Sequence, residues 1–288
     1  MDVNASGYAE HLSAADLRVL AAAAGIGDET AAKLAGDPAY IERLLADPRV
    51  FDAVFGSSGE VVLVSPFLAF CVAVHRAVAD LSETSHLPER SGLRQLVPVF
   101  DTPELRDFLQ SAQRRLFLAE LLASFTRVAS GRYQVPGAPG TVPRTRRFSE
   151  LDPVRLAGLL DVVPAESRPG VYRRLGDVSL FLAGVFPDYS VAHALGPVDV
   201  SRLLRSARVP FAERDGLADA PALDLLEYLG ARWYRAALAA APVRTARLAV
   251  VEEVADRFRQ ARRVLNHLAD RYLISPASPW FPQPGTPG

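Results

Sequence analysis

Apolar residues recur along most of this chain at intervals of three and four, the spacing that lines one side of an α-helix, while period-two alternation is rare. The helix starts are marked. Asp37-Pro38, Asp47-Pro48, Ser65-Pro66, Thr102-Pro103 and Asp152-Pro153 each set a side-chain oxygen ahead of a proline. Such an oxygen accepts from an orphan N–H of the first turn, where proline sits without losing a hydrogen bond. Ser13, followed three residues on by Asp16, has the spacing of a capping box. The pattern predicts helices near 13–24, 28–35, 38–46, 48–55, 66–82, 103–129, 153–162, 170–186, 199–206, 221–240 and 243–273, with short extended pieces at 61–64 and 96–100. The expected fold class is all-α, a multi-helix orthogonal bundle of about ten helices.

Two predicted helices stand out. In 243–273, Leu248, Val251, Ala255, Phe258, Leu265, Leu268 and Tyr272 form a stripe, with Arg257, Arg259 and Arg263 off it. In 103–129, RLFLAELLASF is apolar almost all round, which makes that helix central. The expected organisation is an acidic N-terminal group of helices (1–60) packing on the rest, core helices (61–129), a flexible Gly/Pro/Arg loop (130–147), a C-terminal helical part (148–273) sharing one core with 61–129, and an extended proline-rich tail (274–288).

The longest apolar stretch, VVLVSPFLAFCVAV at 61–74, is broken by Ser65-Pro66, and VYRRLGDVSLFLAGVFPDYS at 171–190 offers only Val178 to Phe186. A membrane span needs about 20 apolar residues. Both stretches have the length of core segments, so no membrane association is expected. The start of the chain lacks the basic and apolar regions of a signal peptide, and Cys71 is the single cysteine, so the expected compartment is the cytoplasm. The formal net charge is −1, but residues 1–60 carry ten acids against Arg18, Lys33, Arg43 and Arg49. That opposition could hold the first segment on the rest or recruit a charged partner.

Candidate chemistry is sparse. On a helix, Asp177 lies one turn after Arg173 and Arg174 and can pair with either. Gly176 and Gly184 allow close helix approach, but they are too far apart for a phosphate loop. Glu120 interrupts an apolar run with no cation one turn away. A buried carboxylate needs a partner, and Arg173 or Arg174 is the leading one, which would make Glu120, Arg173, Arg174 and Asp177 a buried charge pair or an inter-helix pocket. Cys71 with His75, and Glu83 with His86, have ligand spacing, but neither grows to a full metal set. No metal or cofactor is expected. No nucleophile motif appears, and no catalytic residue is assigned.

Three segments suggest binding. Arg232, Trp233, Tyr234 and Arg235 are the residue types of interface hot spots, though Trp233 could equally fill the core while the arginines reach outward. Trp280 and Phe281 in the tail either dock back or await a partner. Arg127, Arg132, Arg144, Arg146 and Arg147, flanked by Tyr133 and Phe148, carry no acid among them, which suits a polyanion.

The stretches PVFDTPELRDFLQSAQRRLFLAELLASF (98–125), RRFSELDPVRLAGLLDVVP (146–164), YRRLGDVSLFLAGVFPDY (172–189) and LEYLGARWYRAA (226–237) resemble an uncharacterised helical protein family of high-GC, actinomycete-type bacteria. The resemblance spans roughly residues 40–273 and implies no activity, cofactor or site residue. The expected function is that of a non-enzymatic regulator or assembly factor acting through a protein partner, with homo-oligomerisation open. One alternative is a nucleic-acid-associated regulator using the basic 127–147 segment. Another is an enzyme or small-ligand sensor with a pocket near Glu120 and Arg173.

Overall fold

The structure, a computed structural model, describes residues 7–27, 34–56, 64–92, 95–135, 142, 144–192, 195–275 and 278–281. In chain order these form α1 (Gly7–His11), α2 (Ala14–Ala23), α3 (Pro38–Leu45), α4 (Pro48–Phe55), α5 (Pro66–Glu83), β1 (Leu87–Gly92), β2 (Gln95–Val99), α6 (Thr102–Gln110), α7 (Ala112–Ser124), β3 (Ser130–Val135) and β4 (Arg144–Ser149). There follow α8 (Pro153–Ala157), α9 (Arg168–Val185), α10 (Pro187–Ala192), α11 (Pro197–Ser206), α12 (Phe211–Ala218), α13 (Ala222–Ala240), α14 (Ala246–Asp256), α15 (Phe258–Leu268), a π-turn at Ala269–Leu273, β5 (Ile274–Ser275) and β6 (Ser278–Pro279). The protein is all-α, with fifteen α-helices and three two-stranded ribbons among the described residues.

Four of the five expected caps are made. Asp37 accepts from the Tyr40 N–H, Asp47 from Arg49, Ser65 from Leu68, and Asp152 from Val154 and Arg155. Thr102 instead lies inside α6 and donates to the Ser85 carbonyl at 3.2 Å. The Ser13–Asp16 capping box is present, and Asp16 also accepts from the Ser65 N–H at 3.0 Å, tying α2 to the start of α5.

The helices exceed the expected ten partly because both long predictions are broken. Residues 103–129 divide at Ser111, whose hydroxyl caps α7 by accepting from the Arg114 N–H. The reason for the break is the arginine pair that follows. Arg114 donates to the carbonyls of Asp107 and Phe108, at 2.9 and 2.6 Å. Arg115 donates to those of Leu109 and Gln110, at 2.5 and 3.0 Å. These satisfy the orphan acceptors at the end of α6. The second prediction, 243–273, is interrupted at Arg257 between α14 and α15, and nothing in the residues marks that break. Most of its stripe is nonetheless buried: Val251, Ala255, Phe258, Leu265 and Leu268. Short α10 and α12 carry too few turns for periodicity to reveal them. Of the predicted 28–35 helix, residues 28–33 lie outside the described residues, as do 61–63, 136–141, 143, 276, 277 and 282–288.

The segment 130–147, expected as a flexible loop, is a correction. Its two ends pair as the antiparallel ribbon β3–β4, with register running from Ser130↔Ser149 to Val135↔Arg144. The extended piece expected at 96–100 overlaps β2, which pairs with β1.

The chain forms two compact units. The first takes its described residues from Met1–Pro88, Pro98–Thr126 and Val264–Phe281, the second from Glu89–Val97, Arg127–Arg263 and Pro282–Gly288. In the first, α5 is central: Phe67 through Val74 are all buried, and α5 packs against α6 and α7, which bury Leu105, Phe108, Leu118 and Leu122, and against α3 and α4, which bury Ile41 and Val50. Each such Val, Leu, Ile or Phe side chain contributes roughly 1.5–3 kcal/mol on burial. In the second, α9 packs along α13, and Leu175 through Val185 are buried without interruption. Gly176 permits this approach, and Gly230 lets α15 close on α13. A Cβ at Gly176 would lie 2.4 Å from the Tyr234 ring, and one at Gly230 would lie 2.3 Å from Phe258.

Candidate functional site

The residues Arg232-Trp233-Tyr234-Arg235 sit mid-helix in α13, and helical geometry splits them. Trp233 and Tyr234 turn inward and are fully buried, while Arg232 and Arg235 turn outward. The aromatic pair is therefore core and not an interface anchor. Tyr234 donates to the Asp177 carboxylate at 2.8 Å, and burial, reinforced by that charge, pushes its phenol well above the ordinary value. The arginines line an open groove of about 1040 Å³ along α13.

The groove floor is small and apolar, with Ala231, Ala236, Ala239 and Ala240 of α13 and Ala255 of α14. Its walls are charged. Arg235 pairs with Asp256 at 2.9 Å, and Arg259 with Glu227 at 2.8 Å. Glu227 also meets Arg262 at 3.0 Å, and Arg262, 7% exposed at its side chain, reaches Glu89, which accepts from Arg263 at 2.6 Å as well. Burial alone would raise the Glu89 carboxyl, but the bonds from Arg263 and Arg262 outweigh it and hold it below the usual range. This chain of charges fixes α15 and the wall side of α13. Tyr228 donates to Glu213 at 2.7 Å; burial and that carboxylate raise its phenol.

One end of the groove is different. Helix α11 ends in a Schellman turn: the Val209 N–H bonds the Leu204 carbonyl and the Arg208 N–H bonds that of Arg205, both at 3.0 Å. Val209 and Leu204 are both buried, supplying the hydrophobic contact of the motif. The motif needs a left-handed residue, normally glycine, and here Arg208 occupies it at φ 53°. That conformation costs about 1–2 kcal/mol for a residue with a Cβ. Arg232 braces the turn, donating to the carbonyls of Ala207 and Arg208 at 2.8 and 2.6 Å. Arg208 lies over the Tyr172 ring at 5.8 Å. Among the described residues, neither Arg208 nor Arg232 is paired with a carboxylate, although both line the groove. Arg208 was invisible to sequence reasoning because Ser-Ala-Arg-Val-Pro contains no glycine to signal the turn.

The other expected sites resolve separately. Glu120 pairs with His11 at 2.8 Å, not with an arginine, and its side chain is 29% exposed. The apolar run around it fooled the periodicity, because α1 covers that position with a histidine. Arg173 does pair with Asp177, at 2.8 Å, whereas Arg174 reaches Glu150 at 3.0 Å. Glu120 and these arginines thus form no shared site. Trp280 and Phe281 dock on Phe70 of α5, with ring centroids 5.5 and 5.4 Å away, and Phe281 is buried. The tail aromatics cover the chain's own core instead of standing free. Arg144, Arg146 and Arg147 lie on β4. Cys71 is fully buried, and burial pushes its thiol up. His75 faces Tyr8, with Nε2 3.2 Å from the hydroxyl, and burial lowers its pKa to about 4.

No helix among the described residues is long and apolar enough to cross a membrane. Compared with known proteins, the chain matches no family model, no curated protein and no solved structure.

Proposed function

We propose that the protein is a cytoplasmic regulator or assembly factor that binds a segment of a partner protein in the α13 groove. The observation that carries this reading is Arg208. A residue held left-handed, at a cost glycine would avoid, is expected where its side chain serves something other than the fold. Its guanidinium and that of Arg232, neither paired directly with a carboxylate among the described residues, supply positive charge beside an alanine floor. Small floor residues leave room for the backbone or short side chains of a peptide, and the two guanidinium groups donate to its carboxylates, Arg being suited to that geometry.

A photo-reactive amino acid in place of Ala239, introduced in the native cell, tests the reading. The expected result is a discrete protein adduct, abolished by Ala236→Arg, which blocks the floor, and weakened by Arg208→Gly. The same probe at exposed Ala14 serves as control. An absence of protein adducts, or adducts indifferent to Ala236→Arg, would remove the proposal.

A further inference from the structure

The β3–β4 ribbon has two unlike faces. Strand register sets Arg132 directly opposite Arg147, with Gln134 opposite Thr145 and Ser130 opposite Ser149 on the same face. The alternate face carries Tyr133 opposite Arg146, Gly131 opposite Phe148, and Val135 opposite Arg144. Tyr133, Val135 and Phe148 are half-buried, whereas Arg132, Gln134, Thr145 and Arg147 are exposed. The Tyr133 hydroxyl rests against Gly158, where a Cβ would lie 2.7 Å away, and Arg146 approaches Asp161 at 4.0 Å. One face is thus anchored on the residues after α8, and the other looks outward.

The outward face is built against its own stability. Like charges directly opposed on paired strands are destabilising, and a two-stranded ribbon has little stability to spare. Neither Arg132 nor Arg147 has a carboxylate partner among the described residues. Residues 127–147 hold five arginines and no acid at all, so no neighbour on the ribbon neutralises the pair. An anion bridging the two guanidinium groups would relieve this repulsion.

We infer that this face binds the phosphate backbone of duplex DNA. Three features select that ligand from other polyanions. The outward face carries no aromatic, Tyr133 and Phe148 being on the other side, so unpaired bases find no stacking platform. A two-stranded ribbon fits the major groove of B-DNA, about 12 Å wide, and does not fit the deep, narrow major groove of duplex RNA. Finally, exposed Gln134, Thr145 and Ser130 flank the arginine pair with neutral donors and acceptors, the types that contact phosphates and base edges.

The test is fluorescence anisotropy of the full chain with a labelled 20-base-pair duplex, at salt from roughly 50 to 200 mM, the range over which phosphate contacts are lost. Binding should weaken with salt. Replacing both arginines (Arg132→Ala with Arg147→Ala) should lower the slope of log K against log salt by about 1.8, at about 0.9 per contact. Arg147→Lys should retain binding. Arg147→Glu turns the repulsive pair into an attractive one, so its melting temperature should equal or exceed that of the natural protein while DNA binding is lost. Arg18→Ala, elsewhere on the surface, should change neither. The inference fails if the natural protein shows no salt-dependent duplex binding near 50 mM, or if the double variant keeps the same slope. It also fails if single-stranded DNA, duplex RNA or polyglutamate binds as tightly as duplex DNA.

Discussion

Each unit buries an aspartate one helical turn after an arginine and completes it with a tyrosine from distant sequence. In the first, Asp80 accepts from Arg76 at 3.1 Å and from the Tyr272 hydroxyl. In the second, Asp177 accepts from Arg173 at 2.8 Å and from Tyr234 at 2.8 Å. The difference lies in what else arrives. Asp80 also meets His267 and Arg271, both at 3.2 Å, whereas Asp177 has the Tyr234 ring stacked on its arginine, at 5.5 Å from Arg173. Burial would raise the Asp80 carboxyl, but the bonds from Tyr272, His267 and Arg271 hold it below the usual carboxylate range. Burial also depresses His267, against the pull of Asp80. The same device thus gathers a histidine and a second arginine in one unit and aromatic packing in the other. The units diverge again at a helix end. The α2 terminus is a Schellman turn with Gly25 at φ 73°, and α11 ends in the same turn with Arg208 at φ 53°. The first unit uses the residue that suits the turn. The second places a charge there, beside the groove.

Each unit carries its own reporter, Trp280 in the first and Trp233 in the second, so Trp233→Phe and Trp280→Phe variants allow them to be followed separately. The largest effect should come from removing the carboxylates. Asp80→Ala and Asp177→Ala each strand a buried donor, His267 in the first unit and Tyr234 in the second, and should cost about 3–5 kcal/mol, Asp80→Ala more, because it strips four side chains of their acceptor. Denaturant midpoints read at the matching tryptophan give the ranking, and equal losses at both reporters would break the comparison.

Acid comes next. Folded His75 titrates near 4 against an ordinary 6.5. Between those values the unfolded chain binds more protons, so stability falls as pH drops through the window, by roughly 3 kcal/mol for His75 alone. His267 shifts in the same direction and adds to the loss. Below that, Asp80 continues the trend, since a depressed carboxyl gives stability above its unfolded value and loses it as pH falls through the folded one. Trp280 should report a falling midpoint from pH 6.5 to 4 before Trp233 does. His75→Phe should flatten much of that slope.

Gly176→Ala should cost about 1–3 kcal/mol, read at Trp233, because its Cβ meets the Tyr234 ring and overpacking forces α9 from α13. Smallest is the exchange of the two turns. Arg208→Gly should stabilise the second unit by about 1 kcal/mol while weakening groove binding, and Gly25→Arg should destabilise the first by about as much. A thermal melt showing Arg208→Gly to be destabilising would mean that the arginine serves the fold.

Local physics was legible in the residues. The caps at Asp37, Asp47, Ser65 and Asp152, the Ser13–Asp16 box and the Arg173–Asp177 pair all follow from interactions within four positions, where helical geometry alone decides who meets whom, and the apolar composition of Phe67–Val74 and Val178–Phe186 already marked them for burial. What the residues could not disclose was every partner supplied from far along the chain. His11 for Glu120, Tyr234 for Asp177, Phe70 for the tail aromatics and Thr145 facing Gln134 on the ribbon depend on how elements return to one another. The groove is of that kind as well: its arginines are visible at 232 and 235, but Arg208, Glu227 and Arg259 join them only once α11, α13 and α15 are packed. Spacing fixes contacts along a helix because the rise per residue is constant, and contacts between helices are set by packing, which no local pattern encodes.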